Sequence, residues 1–291
     1  MNKNKHYRIS PLRICIYLIA VLAVAVYGYF TNRGYTVGDS KVELNFIDVD
    51  QGDCSLIISD DGAVLIDTGL REYSDTVIAY IKRYTDTIDW FVATHPDSDH
   101  IGGAADVITH LNVKTVLISD AVSDNTAYCM LLQALEQSDT DVVQATAGAR
   151  YNVGCFTMTV LAPLEEYDPD IGSNNHSIVV KISYGDFSAM FTGDAEKQEE
   201  TEIVSNYSSY ILRSDVLKVG HHGSKTSSSK AFLESVKPSI AVISCGKDNQ
   251  YGHPHKTTLN KLSEIGAEIV RTDESGTIII ATDGKGWQLK K

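Results

Sequence analysis

Apolar and polar positions along the chain follow two periods. Runs dense in Val, Ile, Leu and Phe, alternating or continuous, lie at 42–49, 55–58, 63–66, 90–93, 113–118, 156–161, 177–183, 187–191, 216–219, 240–244, 268–271 and 277–281, and predict strands. Between them, amphipathic stretches predict helices over 76–84, 103–110, 126–137, 195–204, 230–236 and 256–265. Strands and helices interleave throughout. Beyond a polar linker at 31–40 there is no composition break, internal repeat or low-complexity tract, which argues for one layered α/β domain over 41–291.

One stretch departs from this pattern. Residues 14–30 read ICIYLIAVLAVAVYGYF, without a charge, after Lys3, Lys5, Arg8 and Arg13 and before Arg33 and Lys41. A spanning helix needs about 17–25 such residues. Basic residues in front place the amino terminus inside and the remainder outside. Residues 1–40 are therefore expected to be a cytoplasmic stub, a membrane-anchoring helix and a linker, which makes the chain a single-pass cell-membrane protein with its C-terminal domain extracytoplasmic. The rival is a signal peptide cleaved near Ala23-Val24-Ala25, giving a secreted domain. Tyr27, Tyr29 and Phe30 extend the apolar run as an interfacial anchor does.

Composition narrows the function classes. The chain is 43% apolar and 22% charged, so it can bury a core, and its formal net charge is -13. That acidity argues against extended nucleic-acid binding by phosphate neutralisation, although metal ions or a local patch can still hold a phosphodiester. The five cysteines include no CxxC pair and build neither a zinc ribbon nor a disulfide scaffold.

Polar chemistry gathers just after apolar strands. The segment 90–93 runs into Thr94-His95-Pro96-Asp97-Ser98-Asp99-His100, where two histidines and two aspartates fall within six residues. Imidazole and carboxylate are donors for divalent metals, and alternate residues of an extended loop face one side. Alone, this loop leaves a solvated turn with helix caps as the lesser alternative. Four further strand ends carry similar groups: Asp67 after 64–66, Asn174-Asn175-His176 before 177–183, Asp194 after 187–191, and His221-His222 after 216–219. Each has a bland explanation by itself, Asp194 as a helix N-cap for example. Jointly they point to one metal centre.

These motifs resemble the metallo-β-lactamase superfamily, and within it the hydrolase domain of ComEC-type DNA-uptake (competence) proteins. The resemblance rests on FIDVDQGDCSLI at 46–57, VLIDTG at 64–69, THPDSDHIGG at 94–103, NNHSIVVKISYGDFSAMFTGDAE at 174–196, DVLKVGHHGSKTS at 215–227 and YGHPH at 251–255. It implies a four-layer αβ/βα sandwich with metals at one edge of two facing sheets. It also implies a ligand set. His95 and Asp97, joined by His176, hold one divalent ion; Asp99 and His100, joined by His221, hold the second; Asp194 bridges them and Asp67 orients the loop. Asp97 stands where the superfamily often has histidine, which leaves the ions as Zn²⁺ or Mn²⁺. Asp99, His222 and His253 are the expected catalytic groups, and Ser224 and Asn175 the expected substrate contacts.

Three aspartates against two divalent ions leave such a centre net positive, suited to an anionic substrate such as DNA or a small phosphodiester. The resemblance implies a nuclease or phosphodiesterase. The same chemistry also serves small esters, lactones or β-lactams, and a non-catalytic metal-binding surface module is the alternative outside enzymology. The sequence names no protein partner.

Overall fold

The computed structural model describes residues 41–290. The anchor expected at 14–30 lies outside the described residues, and within them no helix is long and apolar enough to cross a membrane.

Two sheets organise the domain. The first has the order β15-β14-β1-β2-β3-β4-β5-β6. Its strands are β1 Val42–Phe46, β2 Ser55–Ser59, β3 Gly62–Ile66, β4 Thr87–Ala93, β5 Asn112–Ile118, β6 Asp141–Gln144, β14 Ile278–Thr282 and β15 Trp287–Lys290. The second, ordered β13-β12-β11-β10-β9-β8-β7, comprises β7 Arg150–Val153, β8 Phe156–Ala162, β9 Val179–Tyr184, β10 Phe187–Phe191, β11 Val216–Lys218, β12 Ile240–Ile243 and β13 Glu268–Arg271. Strands β3 to β6 run parallel, as do β10 to β13. Parallel neighbours need crossovers, and helices supply them. These are α1 Ser74–Ile81, α2 Ala104–His110 and α3 Thr126–Glu136 on the first sheet, and α4 Lys197–Asn206, α5 Lys230–Val236 and α6 Lys256–Glu264 on the second.

Side-chain alternation sorts the apolar residues into three layers. Val64 and Ile66 of β3, Phe187, Ala189 and Phe191 of β10, and Ile240 and Val242 of β12 point between the sheets. There Phe46 stacks on Phe191 with ring centroids 5.7 Å apart. The intervening residues point outward: Ala63 and Leu65 join α1 to α3, while Met190, Ala241 and Ile243 join α4 to α6. This is the expected αβ/βα sandwich. The strands that patterning misses are the edge strands β6, β7 and β15, each four residues long and half exposed, too short for a period to show.

Candidate metal centre

The carboxyl ends of β3, β4, β10 and β11 open onto one crevice, where parallel α/β layers bind ligands. Asp67 follows β3 with φ +56. Its Oδ1 accepts the Thr94 backbone N–H at 2.9 Å, and its Oδ2 accepts the Thr94 hydroxyl at 2.7 Å and His100 Nδ1 at 2.8 Å. All three donors come from the loop after β4. Asp67 thus turns His100 so that Nε2 faces the crevice.

His95 and His222 are held the same way. His95 Nδ1 lies 3.1 Å from the Thr94 hydroxyl, and His222 Nδ1 donates to the Ser244 carbonyl at 3.0 Å. Each ring spends Nδ1 on its supports. Nε2 of His95, His100 and His222 is buried and has no hydrogen-bond partner among the described residues, and neither does Asp194 Oδ1. Asp194 sits among them, with Oδ1 3.1 Å from His100 Nε2 and Oδ2 3.7 Å from His222 Nε2. Asp99 Oδ2 reaches within 3.3 Å of His222 Nε2. His95, His100 and Asp194 form one group with ligand atoms within 4.8 Å of one another, and Asp99, His100 and His222 form an adjoining one.

Orphaned buried polar atoms are costly, and native proteins satisfy them. Three imidazole nitrogens and a carboxylate oxygen converging in this way fit a divalent cation. The electrostatics agree. Burial disfavours charge on His100, yet Asp194 and Asp67 outweigh it and hold the ring well above its ordinary pKa. For His222, Asp194 and Asp53 likewise overcome burial and lift it to about 10. Burial would raise Asp194, but His100 and His222 hold it well below the carboxylate range. Carboxylates in this number draw positive charge into the crevice, and a cation there displaces protons from the rings.

The chain matches the metallo-beta-lactamase superfamily over residues 47–247. It belongs to that superfamily. It is 33% identical over 263 residues to ComE operon protein 3 of Bacillus subtilis, covering 84% of this chain and 33% of that one. Competence protein ComA of Neisseria gonorrhoeae is 30% identical over 265 residues, covering 89% and 35%. The chain therefore spans about a third of the length of the curated relatives it matches. Among solved structures, the metallo-beta-lactamase fold protein YhfI of Bacillus subtilis superposes with TM-score 0.55 at 12% identity, over 84% of this chain and 100% of that one. CmlA, a diiron beta-hydroxylase of Streptomyces venezuelae, gives TM-score 0.53 at 14% identity, over 80% and 53%. The superfamily and the His/Asp centre together support a metal-dependent hydrolase.

Within this metallo-beta-lactamase frame, several residues stand elsewhere than the sequence suggested. His176 joins neither ligand group. Its Nε2 accepts the Asp168 backbone N–H at 3.0 Å and its ring meets the edge of Tyr167. Of the adjacent pair, His222 falls within the groups of converging ligand atoms and His221 does not. Both have left-handed backbone, φ 52 and φ 51, and their rings meet edge to face with centroids 6.2 Å apart. His222 is buried, whereas His221 is partly exposed, 3.6 Å from Asp194 and 3.2 Å from Glu196. Asp97, with a side chain 45% exposed, lies 3.8 Å from His95 Nε2 and accepts the Ser173 hydroxyl.

The two expected substrate contacts are turned inward. Asn175 is buried, donating to the Ile171 carbonyl and accepting the Glu199 N–H at the start of α4. Ser224 is buried against Thr226. His253 borders the centre, its ring centroid 5.5 Å from that of His221 and 6.2 Å from that of His222. Burial and these two neighbours push its pKa down to about 4, so it is neutral at pH 7.

Sequence reasoning missed Asp53 and Lys218. Lys218 is buried within apolar β11 and pairs with Asp53, whose Oδ1 approaches His222 Nδ1 at 3.4 Å. The available signals were a lone lysine inside VLKV and an aspartate opening an apolar strand. Gly52 lets this segment close on the ligand loop: a Cβ there would lie 2.6 Å from the Asp99 carbonyl oxygen.

Proposed function

We propose that this chain is a metal-dependent phosphodiesterase that hydrolyses DNA outside the cytoplasm, tethered to the membrane through residues 14–30. The observation that carries the chemistry is the convergence of three unpartnered imidazole nitrogens on Asp194 and Asp99. The direction toward DNA is supported by relatives named for competence. We assign His95, His100 and Asp194 to one divalent ion and Asp99 and His222 to a second, with Zn²⁺ and Mn²⁺ both suited to the mixed donor set. Bound there, such ions supply Lewis acidity toward a phosphoryl oxygen and lower the pKa of water.

The protein's own groups supply position and proton control. Asp99 has 29% of its side chain exposed, against 5% for Asp194 and 6% for Asp53, so of these three carboxylates it is the one substrate can reach. His253, neutral and at the border of the crevice, is placed to donate a hydrogen bond to the leaving oxygen. The net charge of -13 repels long polyanions, which favours short or locally held segments over extended duplex.

The test uses the purified chain stripped of metal and reloaded with Zn²⁺ or Mn²⁺. Plasmid, single-stranded DNA, bis(p-nitrophenyl) phosphate and nitrocefin are the substrates. Metal-dependent turnover of phosphodiesters, lost in Asp99→Ala, is the expected result. Turnover of nitrocefin alone would move the chain to acyl hydrolysis, and no turnover with either ion would leave a metal-binding module.

A further inference from the structure

Beside the centre lies a cavity of about 480 Å³ whose wall includes Asp50, Asp99, Lys247, Asp248, Gln250 and Tyr251. Asp99 belongs to both the cavity and the candidate metal centre, so whatever fills the cavity abuts that centre. Tyr251 is 55% exposed, so its ring is open to solvent. It is also held flat. Its ring stacks on His253 with centroids 5.6 Å apart and planes 22° apart, and His253 in turn stacks on His222. An aromatic ladder therefore runs from the centre to the surface and ends in an open face.

The loop carrying this face is built rigidly. The Asn249 side chain makes four hydrogen bonds within it: Nδ2 donates to the Gly246 and His253 carbonyls at 2.9 and 2.6 Å, and Oδ1 accepts the Tyr251 and His253 N–H groups at 3.2 and 3.0 Å. Gln51 Oε1 accepts the Gly246 N–H at 3.1 Å from the opposite wall. A pre-organised ring loses little entropy when it binds.

Cavity charge selects the occupant. Three carboxylates, Asp50, Asp99 and Asp248, face one ammonium, Lys247, which disfavours a second phosphate group. A flat, neutral group bearing donors and acceptors on its edge fits better. We propose that this cavity is a nucleobase subsite in which Tyr251 stacks the base beside the scissile phosphodiester, while Asp248, Gln250 and Lys247 meet its edge. A stacking face of this kind takes an unpaired base and not one inside a duplex. The inference deepens the phosphodiesterase reading and rests on it.

Two measurements test it. In the first, a labelled short oligothymidylate and an abasic backbone of equal length are titrated against metal-free full-length protein by fluorescence anisotropy. Wild type and Tyr251→Phe should bind the thymidylate about tenfold more tightly. Tyr251→Ala should bring the two affinities together. Equal affinities in wild type, or a preference that survives in Tyr251→Ala, would overturn the proposal. The second compares the metal-loaded enzyme on thymidine 5′-(p-nitrophenyl phosphate) and methyl p-nitrophenyl phosphate, which share a leaving group. The KM ratio of these esters should collapse in Tyr251→Ala and persist in Tyr251→Phe. Failure to turn over either ester would sink the phosphodiesterase reading, while the anisotropy ratio would still decide the base site.

Discussion

Lys218 and Asp53 form an ion pair with both side chains buried, Nζ lying 2.6 Å from Oδ2. The ammonium donates a second bond to the Val219 carbonyl. The pair links the strand that leads to His222 with the segment that Gly52 closes onto the Asp99 loop, where Asp53 N–H donates to the Asp99 carbonyl at 3.0 Å. It ties the two sheets together beneath the centre.

Removing one partner strands the other charge in the interior. Lys218→Met should lower unfolding free energy by about 3–5 kcal/mol. Adding Asp53→Asn should recover part of that loss, because no unpaired charge then remains. Urea unfolding of the single and double variants measures both; a double variant no more stable than Lys218→Met would contradict the pairing.

Asp67 holds the His100 ring in place, so on the proposed metal assignment it would act on the ion through His100. It accepts from Thr94 N–H, Thr94 hydroxyl and His100 Nδ1, and an asparagine cannot accept all three. Asp67→Asn should therefore weaken metal affinity about 10–100-fold while leaving the fold intact. Competition against a chromophoric chelator reads the affinity and circular dichroism the fold. Unchanged affinity would remove Asp67 from its positioning role.

His221 and His222 should differ when each is replaced by alanine. His222 is buried within the ligand groups, while His221 sits at their rim. Elemental analysis after dialysis should find less metal per chain in His222→Ala than in His221→Ala. The opposite ranking would return the inner ligand role to His221. Chelation should also lower Tm in wild type, since ions that bind only the native state stabilise it.

Glu199, which belongs to none of the candidate ligand groups, provides a separate pH signature. It is buried at the start of α4, and burial, reinforced by Glu202, pushes its carboxyl well above its ordinary value of 4.5. The native state keeps a proton that the unfolded chain releases, so Glu199 favours folding below pH 4.5 and costs stability progressively as pH climbs to the raised value. Glu199→Gln, which stays neutral, should raise Tm near neutrality and lose that advantage below pH 4.5. Melting curves across this range decide it. A gain that is independent of pH would point to side-chain packing in place of ionisation.

Much of the architecture was legible from side-chain period alone. Period-two runs such as 63–66 and 240–244 divide their residues between two apolar layers, and amphipathic stretches between them can only lie on the outer faces. Edge strands β6, β7 and β15 escaped because each is only four residues long, too short for its period to stand out. At the site, sequence by itself determined which strand ends bear the polar groups. His95, Asp99, His100 and Asp194 stand where backbone order puts them, at the carboxyl ends of β4 and β10.

Tertiary structure alone decided which neighbouring side chains face inward. Of two consecutive left-handed residues, His222 lies in the crevice and His221 at its edge, a difference that spacing does not set. The Asp168 N–H captures His176, and Asn175 and Ser224 spend their polar atoms on backbone and a neighbouring hydroxyl. The pairing of Asp53 with Lys218 spans 165 residues and exists only once the two sheets face each other. Local pattern encodes backbone direction, because neighbouring residues share it. Which imidazole receives an ion depends on hydrogen bonds from remote segments, and folding brings those segments together.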